Sequence, residues 1–218
     1  MTFDEIIDAI GIEPYHREPG GVIYCAPCET IIPLIPKGAI NLCVTDPPYG
    51  IDWNTNYSRF SRGTNDKKPI CNDNISFDPA ILFRFNELIL WGGHHYKEKL
   101  PESGSWLIWD KRNYDGTAFL SDGEMAWWNK GAGIYIYSQS GQKVRANSKG
   151  VHPTMKPIGL MRWCIEKTKS PGIILDAFAG SGSTGIAAKQ IGRRFLLIEI
   201  EEKYCRIAVD RLRQEELF

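Results

Sequence analysis

The chain has 218 residues, of which 43% are hydrophobic and 24% are charged, and its formal net charge is zero. This length predicts one domain with a single good-sized core. The neutral balance excludes a polycation, so any contact with nucleic acid must come from local basic patches. No apolar run approaches the roughly 18 residues that span a bilayer, and the acidic N-terminus does not resemble a signal peptide. Six scattered cysteines, with Cys25 and Cys28 as the one C-x-x-C pair, indicate a reducing cytosol and no metal site.

Apolar runs alternate with segments of helical periodicity along most of the chain, which predicts an α/β fold. Seven strands are expected, at residues 21–25, 39–44, 87–91, 105–109, 133–138, 173–175 and 195–198. Helices are expected at residues 3–10, 29–35, 79–85, 94–100, 123–128, 158–167 and 186–191. The residues from 13 to 21 are expected to form a polar linker.

The tetrapeptide Asp46-Pro47-Pro48-Tyr49 directly follows the second predicted strand. The prolines fix φ, hold Asp46 extended and remove two backbone donors. A carboxylate, the Pro47 carbonyl and an aromatic face therefore sit in one rigid frame, which suits a planar ligand with an NH2 group. The alternative is a proline turn that leaves Asp46 exposed to solvent.

A glycine-rich turn with Gly180, Gly182 and Gly185 follows the sixth predicted strand and precedes a helix. This context favours a nucleotide-type cofactor, and Glu199, about 20 residues later, suits a ribose. Both NAD and S-adenosylmethionine fit. The residues after Gly185 suffice for only one helix, one strand and one helix, so most strands lie upstream, unlike in a dinucleotide fold. Asp176 would crowd a pyrophosphate but suits an ammonium group, which favours S-adenosylmethionine.

Three further segments predict ligand contacts. In residues 152–157, Thr154 and Lys156 precede a helix and are candidates for holding a carboxylate. A structural or orienting role is favoured for His152, with a catalytic base as the alternative. The irregular stretch 51–73 is a candidate for a lid or a DNA-contacting arm, and the acid-free stretch 130–156 is a candidate for tracking phosphates. For both stretches the alternative is a plain solvated loop. The DNA-binding candidates are Arg59, Arg62, Lys67, Lys143, Arg145 and Lys149. His94 and His95 are interpreted as polar positions near a strand end.

Three motifs resemble the β group of DNA amino-methyltransferases, small phage-type members included. In chain order they are Asp46-Pro47-Pro48-Tyr49, His152-Pro153-Thr154-Met155-Lys156-Pro157 and the turn from Asp176 to Gly182. The resemblance implies a Rossmann-like, circularly permuted fold with a seven-stranded mixed sheet, of which one strand is antiparallel. It implies methyl transfer from S-adenosylmethionine to adenine N6 or cytosine N4, and Asp rather than Ser at position 46 favours adenine. The implied catalytic residues are Asp46, Pro47, Pro48 and Tyr49. The implied cofactor residues are Asp176, Phe178, Gly180, Gly182, Glu199, Thr154 and Lys156.

The resemblance also implies a single catalytic domain over residues 1–218, with a DNA-contacting loop at 51–73 and a reduced target-recognition region at 113–151. Double-stranded DNA is the expected partner, and a homodimer and a cognate restriction enzyme are compatible with the family. The expected location is the cytoplasm of a bacterial or phage-infected cell. One departure is Ala26-Pro27, where family members usually carry a Gly-Asp pair near the cofactor adenine.

Other functions fit some of the same residues. An RNA or protein amide methyltransferase uses a similar frame, but its cofactor turn usually precedes that frame. A vestigial DNA-binding protein is a non-enzyme alternative, which the intact Asp46, Tyr49 and Glu199 disfavour. An NAD-dependent oxidoreductase fits least well, because of the order of the strands.

Overall fold

A computed structural model describes residues 1–49, 77–112, 116, 121–141 and 155–214. Within these ranges, nine strands form one mixed sheet in the order β1-β2-β9-β8-β3-β4-β6-β5-β7. The strands are β1 (His16–Glu18), β2 (Gly21–Cys25), β3 (Ile40–Thr45), β4 (Leu88–Trp91), β5 (Ser105–Asp110), β6 (Gly123–Trp128), β7 (Ile134–Ser138), β8 (Ile173–Asp176) and β9 (Phe195–Glu199).

The centre of the sheet is parallel: β2 pairs with β9, β9 with β8, β8 with β3, and β3 with β4. Every residue of β4, β8 and β9 is buried, which explains why these strands appear in the sequence as continuous apolar runs. A parallel strand covered by helices on both faces has no solvent-exposed face, so its sequence does not alternate between apolar and polar residues. The carboxyl ends of β3, β8 and β9 consequently lie side by side at one edge of the sheet.

The predicted α/β class and mixed sheet are confirmed. The expected count of seven strands is wrong, and so is the expectation that one strand is antiparallel, since β1 and β6 both are. Two strands were missed. β1 lies in the expected linker and pairs antiparallel with β2. β6 occupies residues 123–128, where a helix was predicted, and it pairs antiparallel with both β4 and β5. Hydrogen bonding from both sides, together with the aromatic pair Trp127 and Trp128, favours an extended conformation there.

Helices cover both faces of the sheet. They are α1 (Phe3–Ile10), α2 (Cys28–Ile31), α3 (Ile158–Thr168), α4 (Ser183–Gln190) and α5 (Glu202–Gln214). In α1 the predicted helix is confirmed: Thr2 and Glu5 form a capping box, and Gly11 ends the helix in the left-handed conformation. The helices expected at 29–35, 79–85 and 94–100 are shorter than predicted. These segments contain the 3-10 turns Ile32–Leu34, Pro79–Leu82, Gly93–His95 and Lys97–Lys99.

Two hydrophobic cores lie on opposite faces of the sheet. One packs α3, α4 and α5 against it, and the other packs α1 and α2. No helix within the described ranges has both the length and the apolar character needed to cross a lipid bilayer.

Candidate active site

The two main motifs meet where β3 and β8 end next to each other. Cys43 of β3 pairs with Leu175 of β8, so Thr45 and Asp176 are brought together at the ends of the strands. The buried Thr45 hydroxyl donates to Asp176 Oδ1 at 2.7 Å and accepts from the Phe178 N–H at 3.2 Å. One side chain thus joins the Asp46 frame to the glycine-rich turn.

Tyr49 is held beside Asp46 by three contacts. Its hydroxyl donates to Asp46 Oδ1 at 2.5 Å. Its ring stacks on the His95 ring, with centroids 4.8 Å apart and an interplanar angle of 21°. The ring also packs on Gly92, where a Cβ atom would lie 1.9 Å from Tyr49 Cε1. Burial and the Asp46 carboxylate raise the pKa of Tyr49 well above its usual range, so its hydroxyl is a neutral donor.

Lys156 is the other partner of Asp46. Its ammonium contacts Asp46 Oδ2, lies 3.0 Å from Glu124 Oε2 and sits 5.6 Å above the centre of the Trp91 ring. Burial by itself would lower the pKa of Lys156, but Asp46 and Glu124 together raise it well above its ordinary value. Lys156 was expected to hold a carboxylate of the cofactor, whereas the structure shows it bound to two carboxylates of the protein.

Asp176 is a buried carboxylate at the start of the glycine-rich turn. It accepts from the hydroxyls of Thr45 and Thr184 and from the Phe178 N–H. Burial outweighs these hydrogen bonds and raises the pKa of Asp176 to about 6. In the part of the chain that the structure describes, no basic side chain forms an ion pair with Asp176. A desolvated carboxylate in this position suits a cationic group of a ligand.

The glycine-rich turn is held by the elements around it. The Gly180 N–H donates to Glu199 Oε2 at 2.7 Å, and the Glu201 N–H donates to Oε1 at 2.8 Å. Each Glu199 oxygen therefore keeps a lone pair with which to accept from a ribose hydroxyl. Gly182 has φ +81°, and a Cβ there would lie 2.8 Å from the Ala208 Cβ of α5. Arg211 of α5 donates to the Ser181 carbonyl at 2.5 Å, which links the turn to this helix.

The structure brings Asp46, Tyr49, Lys156 and Asp176 into one region and places Phe178 half-buried at its side, in edge contact with Phe77. The remaining predicted residues, Thr154 and the six DNA-binding candidates Arg59, Arg62, Lys67, Lys143, Arg145 and Lys149, lie outside the described residues. Of the predicted target-recognition region, residues 121–141 contain β6 and β7, which are strands of the main sheet.

Sequence reasoning missed several residues of this site. Thr45 directly precedes the Asp46 motif, so its position was a usable signal. His95 was interpreted as a plain polar position, although it stacks on Tyr49. Glu124 gave no signal, because its segment was expected to be a helix and its partner Lys156 is far away in the chain.

Comparison with known proteins identifies relatives of this chain. It is 39% identical to the type II methyltransferase M2.DpnII of Streptococcus pneumoniae over 104 residues, which cover 47% of this chain and 36% of that enzyme. It is 36% identical to the type II methyltransferase M.HindIII of Haemophilus influenzae over 120 residues, or 49% of this chain and 39% of that enzyme. The matched segments span little more than a third of these relatives.

A solved structure gives the fold independently. TTHA0409, a putative DNA modification methylase from Thermus thermophilus solved with S-adenosyl-L-methionine, superposes with a TM-score of 0.58 at 19% identity. The superposition covers 88% of this chain and 93% of that one. The family model of the N6/N4 methyltransferases, whose description is DNA methylase, matches residues 85–210 of this chain. This segment is more than half of the chain. The chain therefore belongs to the N6/N4 DNA methylase family.

Proposed function

We propose that this protein transfers a methyl group from S-adenosylmethionine to the exocyclic N6 amine of an adenine in double-stranded DNA. The observation that carries the proposal is the Thr45–Asp176 hydrogen bond, which holds an amine-accepting frame and a cofactor turn side by side. The family supports the DNA substrate, and the relatives' match in sequence supports methyl transfer.

The residues of the glycine-rich turn fit S-adenosylmethionine. Asp176, buried and without a described cationic partner, suits the ammonium of the methionine end. Glu199 has lone pairs left for the ribose hydroxyls, and Phe178 offers an aromatic surface at the side of the turn. When bound, this cofactor would supply an electrophilic methyl group for attack by the amine lone pair, and the electron pair of the methyl–sulfur bond would pass to sulfur.

The protein's own contribution is to position the amine. A base in a duplex cannot reach this site, so it must leave the stack at a cost of a few kcal/mol. Asp46 Oδ and the Pro47 carbonyl accept the two amine hydrogens and favour a tetrahedral nitrogen, whose lone pair then points at the methyl carbon. After transfer, the surplus proton leaves the nitrogen through the Asp46 carboxylate to water. The Tyr49–His95 stack provides a flat surface beside Asp46 for a planar base.

We favour adenine over cytosine because position 46 is Asp, whereas the family's N4-cytosine members more often carry Ser there. The basic residues at 59, 62, 67, 143, 145 and 149 stay our candidates for contacts with DNA phosphates, with Thr154 as a further candidate at the cofactor. A homodimer and a cognate restriction enzyme, as part of a restriction-modification system, stay predictions as well.

The test is tritiated methyl transfer to unmethylated duplex DNA, followed by nucleoside analysis. Labelled N6-methyl-2′-deoxyadenosine is the expected result, and labelled N4-methyl-2′-deoxycytidine would overturn the choice of base. Label appearing only in RNA or protein would overturn the DNA substrate.

The division of roles is tested with Asp46→Ala. This variant should lose methyl transfer while its affinity for S-adenosylmethionine, measured by equilibrium dialysis, stays close to that of the wild type. Equal loss of both would show that Asp46 belongs to the cofactor site.

A further inference from the structure

Four charged side chains form a chain that ends at Asp46. Lys111 Nζ lies 2.8 Å from Glu124 Oε1, Glu124 Oε2 lies 3.0 Å from Lys156 Nζ, and Lys156 Nζ contacts Asp46 Oδ2. The residues come from the end of β5, from β6, from the segment before α3 and from the end of β3. Their charges alternate in sign, so the group is neutral as a whole.

Lys156 is the centre of this group. It is 8% exposed, and its single ammonium separates two carboxylates that would otherwise face each other. Glu124 is held ionised by its two cations: burial by itself raises the pKa of a carboxyl, but Lys156 and Lys111 lower the pKa of Glu124 to about 2. The charge of Glu124 thus depends on contact with the same lysine that binds Asp46.

We infer that Lys156 is a positioning residue for Asp46, and that Glu124 holds Lys156 in place for this role. The inference deepens the proposed methyl transfer and rests on it. Lys156 thereby has a function different from binding the cofactor carboxylate. Glu124 has a function in the active site although it is far from Asp46 along the chain.

The geometry shows how Lys156 and Tyr49 together orient the carboxylate. Tyr49 binds Oδ1 and Lys156 binds Oδ2, so the carboxylate plane is fixed from both ends. A carboxylate offers about four lone-pair sites, so each Asp46 oxygen still has one with which to accept an amine hydrogen. Rotation of the carboxylate would break one of these contacts, and the acceptor is therefore oriented before the base arrives.

Removal of Lys156 would leave Asp46 and Glu124 close together with no cation between them. Two carboxylates that share a site disfavour each other's charged form, so the pair would take up a proton more readily than in the wild type. A protonated Asp46 is a poorer acceptor for the amine hydrogens. The loss should therefore be reversed by raising the pH, which would not happen if Lys156 only filled space.

Other titratable groups around this cluster do not replace Lys156. Among the described residues, those that face it are Tyr49, Tyr96, His94, Lys111, Cys164 and Asp176. Burial and the neighbouring His95 lower the pKa of His94, so it is neutral at pH 7. Lys111 lies on the far side of Glu124, where it binds the other carboxylate oxygen.

The experiment compares Lys156→Gln with the double variant Lys156→Gln/Glu124→Gln, which removes one charge of each sign. Lys156→Arg is the conservative variant. Lys37→Gln, an exposed lysine before β3 at the opposite edge of the sheet, is the matched control. Three quantities are measured for each protein. They are affinity for S-adenosylmethionine, methyl transfer from about pH 5 to pH 9, and the pH dependence of thermal unfolding without cofactor.

Lys156→Gln is expected to lower kcat at pH 7 by about 100-fold, the loss typical of a misplaced catalytic group. Its activity should recover towards alkaline pH, and cofactor affinity should change by no more than about twofold, the scatter expected of independent sites. Its melting temperature relative to that of the wild type should rise as the pH falls, since protonation relieves the repulsion. The double variant should restore a normal pH profile, and Lys156→Arg should retain most activity.

A large loss of cofactor affinity in Lys156→Gln, or a pH profile unchanged from the wild type, would overturn the assignment. So would a double variant as defective as the single one. Failure of the proposed function has a separate signature: the wild-type protein itself would not methylate DNA, whereas the unfolding measurements would still report on the charge cluster.

Discussion

Gly92 offers a direct test of whether the position of Tyr49 matters for methyl transfer. It follows β4 and has φ +69°, in the left-handed region, and its N–H donates to the Met125 carbonyl at 2.9 Å. A Cβ at this position would lie 1.9 Å from Tyr49 Cε1 and 2.4 Å from Cδ1. Gly92→Ala therefore combines a backbone cost with a collision against one specific side chain.

The two costs are separable because the chain contains a matched position. Gly11 has φ +67°, but nothing lies within 4 Å of a Cβ placed there. An alanine in the left-handed conformation costs about 1–2 kcal/mol, and both variants should lose this amount of unfolding free energy. In Gly92→Ala alone, the Tyr49 ring must also retreat by about 1.5 Å to reach ordinary contact distance.

That displacement breaks the 2.5 Å hydrogen bond from the Tyr49 hydroxyl to Asp46. A shift of about 1 Å in a positioning group costs on the order of 100-fold in rate, so methyl transfer by Gly92→Ala should fall by at least this factor. Cofactor affinity should be unaffected, because the three atoms nearest to the added Cβ all belong to Tyr49 and not to the glycine-rich turn. The assays are urea unfolding, tritiated methyl transfer and equilibrium dialysis.

The comparison with Gly11→Ala decides the interpretation. Wild-type activity in Gly92→Ala would refute the argument that the Tyr49 contact matters for transfer. An equal loss of activity in Gly11→Ala would attribute the effect to lowered stability instead.

Two further predictions concern the cofactor turn. The pKa of Asp176 in the folded protein, about 6, exceeds its ordinary value of 3.8, so the folded chain binds more protons between these values than the unfolded chain. Stability without cofactor should therefore fall as the pH rises from 4 to 7, by up to about 3 kcal/mol from this group. Urea unfolding should show this slope reduced in Asp176→Asn, and an identical slope would contradict the buried-anion argument. Thr45→Val keeps the side chain's shape but removes its hydroxyl from Asp176 and the Phe178 N–H, so it should cost about 1–2 kcal/mol and weaken cofactor binding. Unchanged affinity in dialysis would show that this bond does not join the two motifs functionally.

Local patterns in the sequence predicted those features that short stretches of chain determine by themselves. The helix α1 has its cap, its apolar face and its terminal glycine within about ten residues, so it was placed correctly. The glycine-rich turn and the Asp46 frame were found for the same reason. Their chemistry depends on neighbours in sequence, namely glycines that allow a positive φ and prolines that hold φ at a negative value.

Tertiary structure decided what depends on partners far away in the chain. β6 is a strand because β4 and β5 supply hydrogen bonds on both of its sides, which no local periodicity reveals. The partner of Lys156 was not predictable either, since Asp46 and Glu124 reach it only after β3 and β6 take their places in the sheet. The sequence by itself determined which chemical groups are present and the turns that display them. The packing of distant strands determined which of those groups touch, because a side chain's charge partner is set by the sheet order and not by its spacing along the chain.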